Sequence, residues 1–187
     1  NSTTYLGGPE LGLYKSIDQG DSWTELNMPL TASGKKHEPN DIEVGADGKI
    51  WVSTISSSIY GEGGGKVFSS EDGETFTNAY TLEGANRTQI AVSSQDADKV
   101  YILAQISEGV AMEVTTDGFA TGTSDMALPN DADTGISATD FTRGQAFYDL
   151  MLEVDPTDDD VIYSGGIDLF KSENSGTSWN QFTHWYA

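Results

Sequence analysis

Residues 142–150, "TRGQAFYDL", hold the densest set of chemically capable side chains in the sequence. Arg143, Gln145, Tyr148 and Asp149 offer a guanidinium, a carboxamide, a phenol and a carboxylate within one short stretch. Together they could bind a polar ligand. Arg143 and Asp149 could equally neutralise each other as a structural ion pair. A second stretch, "DPTDDD" at 155–160, supplies Asp155, Asp158 and Asp160. Carboxylate oxygens suit a hard cation, so Ca2+ is the candidate there. The string departs from the D-x-D-x-D-G spacing, however, and it also reads as a β-turn with proline in second place. Zinc and nucleophilic catalysis have less support. His37 and His184 are the only histidines, cysteine is absent, and a zinc site needs three or four convergent ligands. No G-x-S-x-G elbow occurs. A carboxylate pair could hydrolyse glycosides, but among 30 acidic residues some pair arises by chance.

Charge excludes whole classes of partner. Thirty acidic residues against 9 basic ones give a net charge of −21. Phosphate recognition needs clustered Lys and Arg, so neither nucleic acid nor an anionic membrane surface is an expected partner. No apolar run approaches the ~20 residues that span a bilayer, so membrane insertion is not expected. The acidity reads as a highly soluble surface. The chain opens on the strand-like "NSTTYLGG" with no visible signal peptide, as a processed product would. Asn1 and Asn86 match the N-glycosylation pattern, which would mean nothing in a bacterial protein.

The elements that position these residues come from a repeat. "KSIDQGDSW" (15–23) returns as "KSENSGTSW" (171–179). Weaker copies are "SSEDGETF" (69–76), with Glu71 at the acidic position and Asp72 next to it, and "TTDGFATGT" (115–123). Their starts lie about 46 to 57 residues apart, the period of propeller blades. Each string reads as a hairpin turn. Asp18 accepts backbone amides, Gly20 takes a positive φ, Ser16 and Ser22 tie the two arms, and Trp23 buries its ring. Asn174 can stand in for Asp18. Strand signals precede the copies: "KIWVSTI" (49–55), "KVYILAQI" (99–106) and "DVIYSGGI" (160–167). Ahead of these lie further strands ending in acidic turns, so each unit reads as four antiparallel strands. "AFYDLMLEV" (146–154) alternates Tyr148, Leu150, Leu152 and Val154 at period two and reads as a strand.

The pattern S-x-D-x-G-x-[ST]-W resembles the Asp-box, or bacterial neuraminidase repeat, and the resemblance covers essentially the whole chain. Its residues here are Ser16, Asp18, Gly20 and Trp23; Ser69, Gly73 and Phe76; Asp117 and Gly118; and Ser172, Asn174, Gly176 and Trp179. Sialidases, xyloglucan-type glycosidases, sortilin-like receptors and photosystem assembly factors carry such boxes. The resemblance implies an all-β propeller in which the box turns between the third and fourth strands of a blade, away from the central binding face. The C-terminal stretch 144–186 is similar to the large secreted propeller proteins of Bacteroidota. Sialidases also need an arginine cluster, and only Arg87 and Arg143 are present.

The expected architecture is therefore one segment, 1–187, with blades at about 1–30 (partial), 39–82, 86–130 and 145–187. That is roughly three and a half blades of a larger propeller, the alternative being a four-bladed ring closed by the N-terminal strand. The expected function is a non-catalytic module of a secreted or cell-surface protein, with the remaining blades or another chain as partner. It would bind a protein or glycan through Arg143, Gln145, Tyr148 and Asp149. The alternatives are part of a glycoside hydrolase completed elsewhere, or an assembly factor.

Overall fold

A computed structural model describes residues 11–133 and 135–185. The opening residues of the first expected blade, and Asn1, lie outside them. The described residues are all-β, with no helix. Strands β1 (Tyr14–Lys15) and β2 (Thr24–Glu25) form a two-stranded sheet. Three four-stranded sheets follow. The first contains β3 (Glu38–Val44), β4 (Ile50–Ile55), β5 (Lys66–Ser70) and β6 (Thr77–Thr81). The second contains β7 (Thr88–Val92), β8 (Val100–Ile106), β9 (Gly109–Thr115) and β10 (Ser124–Asp125). The third contains β11 (Met151–Asp155), β12 (Asp158–Gly165), β13 (Leu169–Ser172) and β14 (Asn180–Gln181). Each sheet is an antiparallel meander. The leading strand β7 lies against β3 on one side and β11 on the other. The first strands therefore gather at the centre and the fourth strands lie outside, which makes a partial β-propeller.

The apolar runs of the middle strands have a simple cause. Alternate side chains of a strand point to opposite faces, and both faces of an inner blade are covered. On β8, Val100, Ile102 and Ala104 join Trp51, Val67 and Ile90 in one core. Tyr101 and Leu103, between them in sequence, join Phe141, Leu152, Ile162 and Phe170 in another. On β4, Trp51 faces forward while Val52 faces back toward Phe68, Phe76 and the two-stranded sheet. Each such burial is worth about 1.5–3 kcal/mol, so blade-to-blade packing holds the arc together.

The repeated turns sit between β1 and β2, β5 and β6, β9 and β10, and β13 and β14. In the first, Asp18 accepts Ser22 N at 2.9 Å and both serine hydroxyls, and Ser16 Oγ accepts Gly20 N at 2.7 Å. The Ser22 hydroxyl, then its amide, then Ser16 pull the Asp18 pKa down to about 2. Asn174 makes the same bond to Ser178 N at 2.9 Å. The two weaker copies differ from their sequence reading. In the second, the working residues are Ser70 and Asp72, not Ser69 and Glu71: Gly73 N reaches Ser70 Oγ and Thr75 N reaches Asp72. This turn is one residue shorter, so the frame slips. In the third, Thr115 and Asp117 make the full bond set, closed by Thr121. Gly118 takes the left-handed position of Gln19 and Ser175, and Phe119, at φ 72°, takes that of Gly20 and Gly176. A phenylalanine in that conformation is strained. The offset is its ring, which stacks on Tyr80 and meets Trp51 edge-on.

Burial of the motif aromatics also divides. Phe76 is buried. Trp179 is half-buried against the second core and donates to Ala127 O at 2.7 Å. Trp23, expected to be buried, is 62% exposed. Residues 126–128 wall Trp179, and no described segment takes that place beside Trp23. The expected strand at 146–154 is also shorter than it reads. The chain enters β11 only at Met151, after a turn in which Gln145 O accepts both Tyr148 N and Asp149 N. Ala146 and Leu150, four apart, are the buried pair there, and Tyr148 points out.

Candidate ligand-binding site

The inner strands are stitched across the blades by polar side chains. Asp41 on β3 accepts Ile90 N at 3.1 Å and Gln89 Nε2 at 3.0 Å from β7. Asn40 donates to Thr88 O at 2.6 Å. These bonds use the inner edge of β7, which has no strand partner. Beside them lies a wall of carboxylates. Burial, then Asp41, then Glu153 push the Glu43 pKa up to about 7. Burial and Asp41 likewise raise Glu153. A carboxyl whose pKa lies near neutrality can give or take a proton.

At the mouth of this wall stands Arg87, immediately before β7. Its Nη1 donates to Phe147 O at 3.1 Å and Tyr148 O at 2.6 Å, and its Nη2 to Gln89 at 3.4 Å. The guanidinium thus grips the turn before β11 by two carbonyls. That turn displays Phe147, 58% exposed, and Tyr148, 75% exposed. Next to them, Asp149 Oδ1 is out of solvent without a partner among the described residues, as is Arg87 Nε. Burial raises the Asp149 pKa, with Arg87 opposing and Asp140 adding to the rise. Two exposed aromatic rings beside a half-buried carboxylate and a cation make a surface that can stack one ligand face and hydrogen-bond another.

Of the sequence-predicted set, Tyr148 and Asp149 share this surface. Gln145 is exposed and lends its backbone carbonyl to the turn. Arg143 faces elsewhere. Its guanidinium reaches Asp131 at 2.7 Å, Asp133 at 2.6 Å and Asp168 at 2.8 Å. Asp131 and Asp168 are almost wholly out of solvent. The clamp ties the β10–β11 connection to the β12–β13 turn, so the anticipated pairing of Arg143 with Asp149 is replaced by these three carboxylates. Its positioning device echoes the repeated turn: Asp140 accepts Thr142 N and Gly144 N, and Arg143 and Gly144 are both left-handed, at φ 56° and 80°.

The acidic stretch also rearranges. Asp155 accepts the amide and hydroxyl of Thr157 within its own turn. Asp158, Asp159 and Asp160 come together instead of Asp155, Asp158 and Asp160. Lys99 Nζ sits on this group, 3.2 Å from Asp159 and 2.9 Å from Asp160, so an ammonium from the preceding blade already supplies the positive charge.

Arg87, Asp41, Glu43 and Glu153 went unnoticed as a group in sequence. Their signal was positional. "IEV" (42–44) and "LEV" (152–154) put a glutamate at the same place in two repeats, on the innermost strand.

The sequence matches no protein-family profile and no curated protein. Solved structures share the fold. The GH74 enzyme of Niastella koreensis matches 93% of this chain and 27% of its own, with TM-score 0.63 and 16% identity. The GH74 xyloglucanase of Xanthomonas campestris matches 77% of this chain and 20% of its own, with TM-score 0.50 and 18% identity. YCF48 of Cyanidioschyzon merolae matches 86% of this chain and 42% of its own, with TM-score 0.56 and 16% identity. This chain thus spans less than half the length of each of these proteins.

Proposed function

We propose that this chain is a non-catalytic binding module within a larger extracellular or cell-surface propeller, its repeated turns being Asp-boxes. Its ligand, a glycan or a protein segment, lies over the start of β7 and β11. The observation that carries the reading is the exposed Phe147–Tyr148 pair, on a turn whose carbonyls Arg87 holds beside the half-buried Asp149 carboxylate. A sugar ring stacks its apolar face on such rings and donates a hydroxyl to the carboxylate, and an extended peptide can do the same. One solved neighbour is a YCF48 propeller described as bound to a D1 peptide, which supports the peptide arm. The charge of −21 favours a neutral or basic ligand over an acidic one. Calorimetric titration with neutral oligosaccharides and Lys/Arg-rich peptides tests this. Tyr148→Ala and Asp149→Asn should each weaken a bound ligand at least tenfold, or about 1.4 kcal/mol. Unchanged affinity in both variants would remove this surface from the function.

A second reading, part of a glycoside hydrolase, has its own support. Glu43, with a pKa of about 7 beside Asp41 and Glu153, has the character of a general acid, and two neighbours in fold are GH74 enzymes. Sustained glycoside turnover abolished by Glu43→Gln would establish it over the first.

A further inference from the structure

Above the first complete blade, the connection from β2 to β3 and the loop from β4 to β5 enclose a cleft of about 350 Å3. Pro29, Leu30, Glu62, Lys66 and Phe68 line it, with His37 among them. A smaller adjoining cavity of about 160 Å3 also reaches His37, Pro29 and Leu30. His37 is only 5% exposed. Its Nδ1 lies 2.9 Å from Gly63 O, and a carbonyl can only accept, so Nδ1 carries the proton. Phe68 meets the ring edge-on at 5.0 Å. Burial holds the imidazole below its ordinary pKa, so it is neutral at pH 7 and Nε2 is an acceptor. No described residue donates to that nitrogen. The charged groups of the larger cavity are already engaged. The Lys66 ammonium donates to Thr81, and Glu62 accepts the hydroxyls of Thr31 and Ser33. The charged groups lining the two cavities, Glu62 and Lys66 in one and Glu25 and Lys36 in the other, balance in sign.

We propose that this cleft binds a small neutral polyol or a single sugar unit, which donates a hydroxyl to His37 Nε2 and lays its apolar face on Leu30 and Pro29. The volume suits a ligand of that size, and the balanced charge disfavours an ion. The site shares no residue with the Tyr148 surface and stands or falls without it.

Nitrogen-15 NMR of the imidazole on the intact chain, titrated with glycerol, glucose and xylose, tests the proposal. The Nδ1–H tautomer is expected, with a saturable Nε2 shift for at least one probe. His37→Asn keeps a donor for Gly63 O but lacks Nε2, and should weaken that binding at least tenfold. Leu30→Glu, at an exposed wall position, should do the same whether or not His37→Asn folds. Tyr148→Ala should leave it unchanged. An Nε2–H tautomer, an unmoved Nε2 with all three probes, or wild-type affinity in Leu30→Glu would overturn the proposal.

Discussion

Replacing Arg143 with leucine separates a structural clamp from a ligand contact. The guanidinium makes charge-assisted bonds to three carboxylates, at 2.6–2.8 Å, and Asp131 and Asp168 retain 0% and 1% of their side-chain exposure. Breaking a buried ion pair from one side costs about 3–5 kcal/mol, because the stranded charge loses its counter-ion without regaining water. Here two carboxylates are stranded together, which places Arg143→Leu toward the upper end of that range. Acid should narrow the loss. In the wild type, Asp131 is held below the ordinary carboxylate range, its burial outweighed by the Asp133 amide and Arg143. The stability this contributes is present above the unfolded pKa and lost as pH falls through the folded one. In the variant Asp131 loses the Arg143 contribution that offsets its burial, so it takes up a proton more readily and the folded state recovers relative to wild type. Urea denaturation followed by tryptophan fluorescence at pH 7.5 and pH 4.5 reads both effects. A variant within about 1 kcal/mol of wild type at pH 7.5 would refute the clamp, since losses that small belong to exposed pairs.

Three further outcomes follow from the packing and the inner wall. Trp179→Ala should cost about 2–4 kcal/mol and Trp23→Ala under about 1 kcal/mol, because only the first ring is backed by a core; equal losses in urea would contradict the assigned burial. Phe119→Ala should cost about 3–5 kcal/mol, since alanine keeps the left-handed strain and loses both ring contacts; a melting temperature at wild-type level would refute it. Glu43 has its folded pKa raised from 4.5 to about 7, so folding takes up a proton between those values and stability falls as pH rises through that window. At about 1.4 kcal/mol per pH unit the full effect is about 3.4 kcal/mol. Partial solvation reduces this to about 1–2 kcal/mol, so Glu43→Gln should stabilise by that amount at pH 8 and by almost nothing at pH 4.5; a uniform effect across pH would contradict the raised value.

The repeat made the architecture readable, because each copy carries its own local instructions. Asp18 and Asn174 close their turns with side-chain oxygens whatever surrounds them, and the middle strands show both buried faces as unbroken apolar runs. The frame of the weak copies was not readable, since Ser70–Asp72 and Phe119 satisfy the same backbone bonds with a shifted or unusual residue. Trp23 and Trp179 occupy identical places in the repeat and differ only in what a distant segment puts beside them. The proposed binding surface was half legible. Tyr148 and Asp149 lie together in sequence, but Arg87 arrives from another blade, some sixty residues away along the chain. Arg143 was misplaced for the same reason: its three partners come from two loops, and only the fold brings Asp131, Asp133 and Asp168 to one point.

The central claim is that this arc binds a ligand at the Phe147–Tyr148 surface and leaves it chemically intact. The direct measurement is an array of neutral glycans and basic peptides probed with the chain and with Tyr148→Ala, followed by mass analysis of each retained ligand after prolonged incubation. The account predicts ligands held by the wild type, lost by Tyr148→Ala, and recovered at unchanged mass. Retention that ignores Tyr148→Ala, or recovery of shortened glycans, would contradict it.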